Sequence, residues 1–445
     1  MDLLNIIKDA GVIGAGGAGF PTHAKLTFKA EYLLLNGAEC EPLLRVDQQL
    51  MEQFPDEIIK GMEAAGRYIE ARQAIIGIKG KHKKVIVLLR ERIAALGLAN
   101  YMEVMELRDI YPAGDEQVLV HELTQRIVPE ASIPLKVGCV VINAETALNI
   151  CKAMAGNPVT ETYITIAGDI PHRMTVKVPV GVSIREVIEQ CGVENVDDYA
   201  VIDGGPMMGS VLNKVDGYVT KKSKGYVLLK KNHFLIRKKS VSLDRARVLG
   251  KTACEQCRMC TDLCPRYLLG HNMQPHKIMR ALSYNLEDVK EQQIAQLCCE
   301  CNACELFSCP ANLHPKSVNI FYKQKLAEQG IRYQPIQMDF QARSARDYRL
   351  IPSKRLIIRI GLTAFDKPAP MTKVEFRPEY IRIALRQHIG APAIPVVAIG
   401  EQVKAGQLIG EIPDSSLGAT VHSSFNGTVI DIKDNSIVIK VGSYV

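Results

Sequence analysis

The sequence predicts a multidomain protein in which an α/β unit is followed by a small mixed unit, a helical cysteine-rich unit and an all-β unit. Three observations predict it. Apolar strand-like runs alternate with helical patterns through residues 1–156, as in a sheet wound with helices. Nine of the thirteen cysteines crowd between positions 254 and 309. The stretch 388–441 reads as short alternating strands separated by glycine turns. At roughly 150 residues per domain, 445 residues imply three or four domains.

Composition excludes several classes of function. With 47% hydrophobic and 23% charged residues, the chain has enough apolar surface to fold and is not expected to be disordered. No run of about 18 apolar residues occurs, so no membrane span is expected. The start, MDLLNIIKDA, lacks the basic and apolar regions of an export signal, which points to the cytoplasm. Basic residues (55) barely exceed acidic ones (48), and there is no Trp. Nucleic-acid binding, which wants a basic face interleaved with aromatics, is not expected.

The cysteines form two runs, Cys254-x2-Cys257-x2-Cys260-x3-Cys264-Pro265 and Cys298-x2-Cys301-x2-Cys304-x4-Cys309-Pro310. In an intracellular chain such clustering reads as metal ligation rather than disulfides. A [4Fe–4S] cube needs four thiolates, and three at two-residue gaps wrap one cube from a single loop. The fourth, before a proline, ligates the other cube in two-cluster ferredoxins. Cys254, Cys257, Cys260 and Cys309 are therefore assigned to one cluster, and Cys298, Cys301, Cys304 and Cys264 to the other. The second run has one residue more than usual before its last cysteine. Cys299 is read as a spare thiol pointing away. Zinc sites share the C-x2-C pair but rarely show paired triads each ending in Cys-Pro. The 33 residues between the runs turn helical in their second half, which suggests a mainly helical two-cluster domain. Adjacent cubes pass single electrons, so a two-electron carrier nearby is expected.

Residues 14–19, GAGGAG, satisfy G-x-G-x-x-G, with Glu39 about twenty residues on as a dinucleotide fingerprint asks. The context is wrong for one: LLNIIKDAGVI precedes with helical spacing and Phe20-Pro21 follows. A glycine loop with exposed N–H groups remains an anion cradle, and Lys25 adds charge to it. A strand expected at 32–42 ends in polar residues, where an α/β sheet presents ligand contacts. KKVIVLLRE (83–91) is expected as a buried strand followed by a helix. Residues 111–123 form a turn opening a helix, with Asp115 and Glu116 in its first turn. Residues 137–154 form a strand, then Asn143 and a helix with Thr146 near its start. Asn and Thr at a helix N-terminus can take a phosphate, although ordinary capping is the alternative.

GAGGAGFPTHAKL (14–26), NGAECEP (36–42), YPAGDEQ (111–117) and NAETALNI (143–150) together resemble the flavin subunit of respiratory complex I and its relative RnfC. With the cysteine runs and DGGPMMG (203–209), their order is most similar to the cobalamin reductases of propanediol-utilising microcompartments. The resemblance implies a Rossmann-like FMN and NADH domain at 1–156 and a β-grasp-like SLBB domain at 157–215. A basic linker (216–248), a helical dicluster ferredoxin domain (249–330), and a linker with a lipoyl-like barrel-sandwich domain (331–445) follow. It implies that Gly16, Gly17, Gly19, Lys25 and Asn36 hold FMN, with Asn143 and Thr146 near its phosphate. Glu39 and Glu41 line the same pocket. Gly114, Asp115 and Glu116 fall where complex I binds NADH; that family has two consecutive glutamates there, and an aspartate at Ala38.

The function so implied is electron transfer from NADH through FMN and two [4Fe–4S] clusters to cobalamin, either directly at the surface or bound to a corrinoid enzyme or adenosyltransferase, within a bacterial microcompartment. Hydride transfer needs no side-chain acid or base, so no catalytic residue is assigned. The alternatives are an RnfC-like protein feeding a ferredoxin-type acceptor, and a non-enzymatic electron wire or scaffold. Residues 219–239 are expected as a solvated strand pair or linker face, with a docking patch for an acidic partner or a phosphate-bearing cofactor as the alternative; 345–372 are expected as an irregular basic connection, and 204–206 as turn chemistry. SSFNG (423–427) lacks the lysine that a lipoyl carrier needs at its hairpin tip.

Overall fold

Runs of Leu, Ile and Val too apolar to face water on either side form a four-stranded parallel sheet. The computed structural model describes residues 2–286, 289–335 and 339–442. The sheet comprises β1 (Tyr32–Gly37), β2 (Gln73–Lys79), β3 (Met102–Leu107) and, after the short β4 (Ile110–Tyr111), β5 (Cys139–Asn143), in the order β3-β2-β1-β5. Helices α1 (Leu3–Asp9), α2 (Thr22–Lys25), α3 (Val46–Gln53), α4 (Pro55–Tyr68), α5 (Lys83–Ala95), α6 (Glu116–Thr124) and α7 (Ala144–Met154) surround it. Helix α4 crosses α7 at Gly61, where a Cβ would lie 1.9 Å from the Ala147 carbonyl oxygen.

Segment 83–91 is not the expected strand but the body of α5. Its buried residues, Val85, Ile86, Leu89 and Ile93, lie on a helical stripe, and the strand comes earlier, in the wholly apolar core of QAIIGIK. The strand expected at 32–42 ends at Gly37.

The second sheet is six-stranded and mixed. It holds β6 (Glu161–Gly168), β7 (Met174–Pro179), β8 (Tyr199–Asp203), β9 (Ser210–Val211), β10 (Gly225–Lys230) and, from far along the chain, β12 (Met371–Thr372), with α8 (Ile184–Glu189) as its helix. Segment 216–248, expected as a basic linker, is instead structural. Strand β10 lies between β6 and β8 and is buried from Gly225 to Leu229. Lysines flank the apolar GYVLL, and their density hid a core strand. Segment 345–372 is likewise more ordered than expected: β11 (Ile351–Pro352) pairs antiparallel with β4, and a helix, Ser353–Arg359, follows.

The cysteine-rich region is helical, as expected. Helices Leu243–Ala253, Pro275–Ser283 and Pro315–Glu328 pack around Met273, Ile278, Leu282, Leu297, Val318 and Tyr322. The C-terminal region is two small sheets, one of four strands and one of three. Its Ile381, Ile383, Val429, Ile437 and Ile439 share one apolar core with Val176, Val178 and Val187 of the six-stranded unit. The SSFNG turn is packed down: Ser423 is fully buried and Ser424 Oγ donates to the Val180 carbonyl at 2.6 Å. Among the described residues no helix is long and apolar enough to cross a membrane.

One buried cation pins three regions together. Lys221 Nζ donates to the carbonyls of Gly11 (2.8 Å) and Thr420 (2.9 Å), while its backbone N–H donates to Gln387 Oε1. Burial among carbonyls pulls its pKa down to about 7 from 10.5. Between those values the unfolded chain holds the proton and the folded chain does not, so this group makes stability rise with pH. The slope is at most about 1.4 kcal/mol per pH unit. Lys221→Met is expected to flatten the rise between pH 7 and pH 9, read from urea-denaturation midpoints at the two values.

Candidate functional site

In an α/β sheet the carboxyl ends of the strands are where ligands meet loops. β1 and β5 run side by side and end at Asn36-Gly37 and Asn143. Asn143 caps α7, its Oδ1 accepting the Glu145 N–H at 3.0 Å, and its Nδ2 donates to Asp47 Oδ2 at 2.9 Å. One turn further on, buried Thr146 accepts the Ala15 N–H at 3.0 Å, which fixes the glycine loop against the start of α7. The loop closes on itself through Gly14 N–H to Phe20 O (2.8 Å). A Cβ on Gly16 would sit 3.0 Å from Asn143 Cβ, and one on Gly17 would meet nothing within 4 Å. Gly16 is thus pressed against Asn143, and Gly17 faces open space. Gly19, at φ +75°, instead packs against Lys222 and the Gln387 carbonyl.

The acidic residues after β1 are held by backbone. Glu39 accepts N–H bonds from Asp47 (2.9 Å) and Gln48 (3.2 Å) in the first turn of α3. Burial, and then the charge of Asp47, push its carboxyl above the usual range. Glu41 accepts the Met207 and Met208 N–H groups, both at 2.8 Å, and burial raises its pKa too. It thereby clamps the 203–209 turn, whose Gly204 has φ +93° as turn chemistry requires.

The turn 111–116 closes the other side. Asn36 Nδ2 donates to Gly114 O at 2.8 Å. Asp115 caps α6 by accepting from Gln117 and Val118, and Arg266 donates to its second oxygen at 2.9 Å. Glu116 pairs with Lys25 at 3.0 Å, and Lys25 also donates to Val141 O at 2.7 Å. Lys25 thus stands between β5 and α6, not on the glycine loop.

Thiols from the two runs come close to one another. Burial and then the charges of Cys309, Cys254 and Cys257 push Cys260 up to about 12. Burial and then the charges of Cys299 and Cys298 raise Cys264. The two runs wind alike: Gln256 and Arg258 have φ of 52° and 67°, and Glu300 and Asn302 have 59° and 66°. Each ends in an extended cysteine before proline, Cys264 at φ −71°, ψ 123° and Cys309 at φ −76°, ψ 115°. The extra residue of the second run is absorbed in a π-helical turn, Cys304–Ser308. Cys299 matches the position of Glu255, outside the ligand pattern, but it does not point away as expected: its thiol meets Cys301, and that hydrogen bond, with Arg266 nearby, holds its pKa below that of a free thiol. Among the described residues no three His, Cys, Asp or Glu side chains converge on a single-ion site.

N–H groups and cations surround the sulfurs. Asn319 Nδ2 lies 3.4 Å from Cys298 Sγ, and Leu313 N 3.3 Å from Cys309 Sγ. Lys323 donates to Cys298 O (3.0 Å), Arg359 to Cys309 O (3.2 Å) and buried Lys238 to Leu313 O (2.9 Å). Donors and cations of this kind offset the negative charge of a thiolate-bound cluster. Tyr111, 2% exposed, donates its hydroxyl to Cys301 O at 2.5 Å.

The residues fit a flavin on the sheet edge. Asp47 Oδ1 is buried without a hydrogen-bond partner, an acceptor free for a ribityl hydroxyl or ring N–H. Gly17 leaves open space, and Gly16 lets the backbone approach Asn143, beside a capped helix start that suits a phosphate. Sequence reasoning missed Asp47, Tyr111 and Arg266. Asp47 looks like any acid in a first helical turn. Tyr111 opens a motif singled out for its acidic residues, and Arg266 follows directly on a ligand-type Cys-Pro.

Comparison with known proteins agrees. Residues 7–152 match the Nuo51 FMN-binding domain, 253–314 the 4Fe-4S dicluster domain and 365–443 the RnfC barrel sandwich hybrid domain. Cobalamin reductase PduS of Salmonella typhimurium is 40% identical over 98% of this chain and 96% of its own length. The Citrobacter freundii protein of that name is 41% identical over 97% and 95%. A component of the Na(+)-translocating ferredoxin:NAD(+) oxidoreductase complex of Acetobacterium woodii is 33% identical over 65% of this chain and 62% of its own. An NAD+-reducing [NiFe]-hydrogenase crystal structure shares the fold with a TM-score of 0.50 at 20% identity, over 76% of this chain and 63% of that one.

The Arg266–Asp115 pair joins the parallel-sheet unit to the cysteine-rich one with both side chains about nine-tenths buried. Removing one partner of such a pair strands the other charge, at a cost of about 3–5 kcal/mol. Arg266→Met is expected to lower the thermal midpoint markedly, and Arg266→Met with Asp115→Asn to recover part of the loss, in a double-mutant cycle.

Proposed function

Because the chain belongs to the PduS cobalamin reductase family, we propose that it carries electrons from NADH through FMN and two [4Fe–4S] clusters to a corrinoid. One observation carries the reading: the flavin-type strand edge and the crossed thiols share a buried interface across the Arg266–Asp115 pair. A carrier of electron pairs and carriers of single electrons serve each other only at short range. Bound flavin supplies the conversion from hydride to single-electron chemistry.

The chain's own residues do the holding. Gly16, Gly17, Thr146 and the start of α7 would receive the FMN phosphate, with Asn143 orienting Asp47 toward the ribityl chain. Asn36 fixes Gly114, and Glu39 and Glu41 hold the loops that wall the pocket. Gly114, Asp115 and Glu116 border the space where a nicotinamide would stack; Asp115 and Glu116 act there through their ion pairs with Arg266 and Lys25. No side chain has to move a proton for a hydride to pass. Cys254, Cys257, Cys260 and Cys309 would ligate one cube, and Cys298, Cys301, Cys304 and Cys264 the other.

The same proposal covers the finer points of architecture and setting. The parallel sheet is Rossmann-like, the six-stranded unit is of the β-grasp-like SLBB kind, and the C-terminal module is a docking element rather than a swinging carrier. In support of the last, its SSFNG tip has no lysine and is bonded to Val180. The setting is a propanediol-type microcompartment in the cytoplasm, with a corrinoid enzyme or adenosyltransferase as receiver.

Anaerobically prepared protein is expected to hold one flavin and about eight irons per chain, as two cubes require. NADH should bleach the flavin, reduce the clusters and then reduce added cobalamin. Flavin bleaching without cluster reduction breaks the route, and reduction of a ferredoxin but no corrinoid overturns the acceptor.

A further inference from the structure

The two thiol sets differ in what they touch. Three separate bonds tie the Cys298–Cys304 run, with Cys264, to the sheet edge. Tyr111 donates to Cys301 O at 2.5 Å, and it stands in the same turn as Gly114, whose carbonyl receives the Asn36 amide from the end of β1. Asn302 donates to Met207 O at 3.0 Å, and the Met207 N–H donates to Glu41. Arg266, two residues past Cys264, reaches Asp115. Cys264, Cys301 and Cys304 are each 8% exposed.

The Cys254–Cys260 run faces the other way. Its bonds stay within the cysteine-rich unit: Gln256 Nε2 lies 3.2 Å from Cys254 Sγ, and Arg258 donates to the Tyr267 hydroxyl. Cys257 is exposed and Cys254 and Cys260 are half-buried, as Cys298 is, while Cys309, which comes from the other run, is 8% exposed.

Electron tunnelling falls off exponentially with gap and is faster through bonded paths than through space. We infer that the cluster of Cys264, Cys298, Cys301 and Cys304 takes electrons from the flavin, and that the cluster of Cys254, Cys257, Cys260 and Cys309 delivers them at the surface around Cys257. Tyr111 is the positioning residue that joins the first cluster to the flavin pocket. The inference rests on the function proposed above and adds to it the order of the clusters. The balance is simple. NADH gives up a hydride, which is two electrons and a proton, and becomes NAD+. Each electron then crosses singly, every hop oxidising its donor by one and reducing its acceptor by one. Two passages through the pair of clusters carry off both electrons and release to water the one proton that the hydride brought.

The test is rapid-freeze-quench EPR of full-length, anaerobically reconstituted protein mixed with NADH, with iron and flavin quantified for every sample. Cys257→Ser marks the outer cluster by changing its EPR signal. The expected result is that the cluster signal appearing first is the one this substitution leaves unaltered. Tyr111→Phe keeps the ring and removes the hydroxyl. It is expected to slow flavin-to-cluster transfer several-fold and to shift the first signal alone, the Cys257-marked signal staying as it was. An altered signal appearing first, or a Tyr111→Phe protein with full iron and flavin and unchanged transfer, overturns the order. If Tyr111→Phe loses cofactor, the surface substitution alone still reads the order. A protein with full cofactor in which NADH reduces no cluster sinks the proposed function and this inference with it, whereas a reversed order sinks only this one.

Discussion

The turn from Tyr111 to Glu116 carries four bonds to four different parts of the chain, and the arrangement of the site depends on it. Tyr111 reaches the Cys301 carbonyl, Gly114 receives the Asn36 amide, Asp115 takes Arg266, and Glu116 takes Lys25. None of these bonds is worth much alone, since a typical net contribution is about 1 kcal/mol. Together they leave the turn one position relative to the strand edge and the thiols. A redox chain needs that, because its rates depend on fixed distances.

Charge is handled in a consistent way around this core. Several buried titratable groups are bonded to backbone. Lys221 sits among carbonyls, Lys239 donates to Met207 O and Gly209 O, and Glu39 and Glu41 accept backbone N–H groups. Such bonds hold loops at chosen positions, and Lys239 and Glu41 also stand within electrostatic reach of each other. Around the thiols, Lys323 and Arg359 donate to the carbonyls of Cys298 and Cys309, so positive charge stands beside two of the candidate cluster ligands. The basic residues that gave the chain its modest net charge are in part interior fittings.

Much of this was legible in the residues. The cysteine spacing, the cap at Asn143, the turn at 111–116 and the short strands of the C-terminal module each depend on neighbours a few positions away. Misreadings arose where the pattern was ambiguous over that same range. KKVIVLLRE is rich in β-branched residues yet forms a helix, because one stripe of it packs against the sheet. Strand β10 was hidden by lysines on either side of five apolar residues. The sequence presents Glu39, Glu41, Asp115 and Glu116 as acids near a pocket, and the structure adds that their carboxylates are engaged by helix starts, a distant turn and cations.

The sequence by itself determined the chemistry on offer: eight spaced thiols in two runs, a glycine loop, and polar ends on apolar strands. Those follow from local geometry, since a loop of three cysteines at two-residue gaps has few ways to fold around a cluster. Only the tertiary structure decided how the parts face one another. Residues as far apart as Tyr111 and Cys301, or Asp115 and Arg266, meet through packing of separate units, and contacts across such separations leave no periodic trace in one chain. The inward and outward orientation of the two thiol sets is a property of that docking, fixed by burial and long-range hydrogen bonds rather than by any motif.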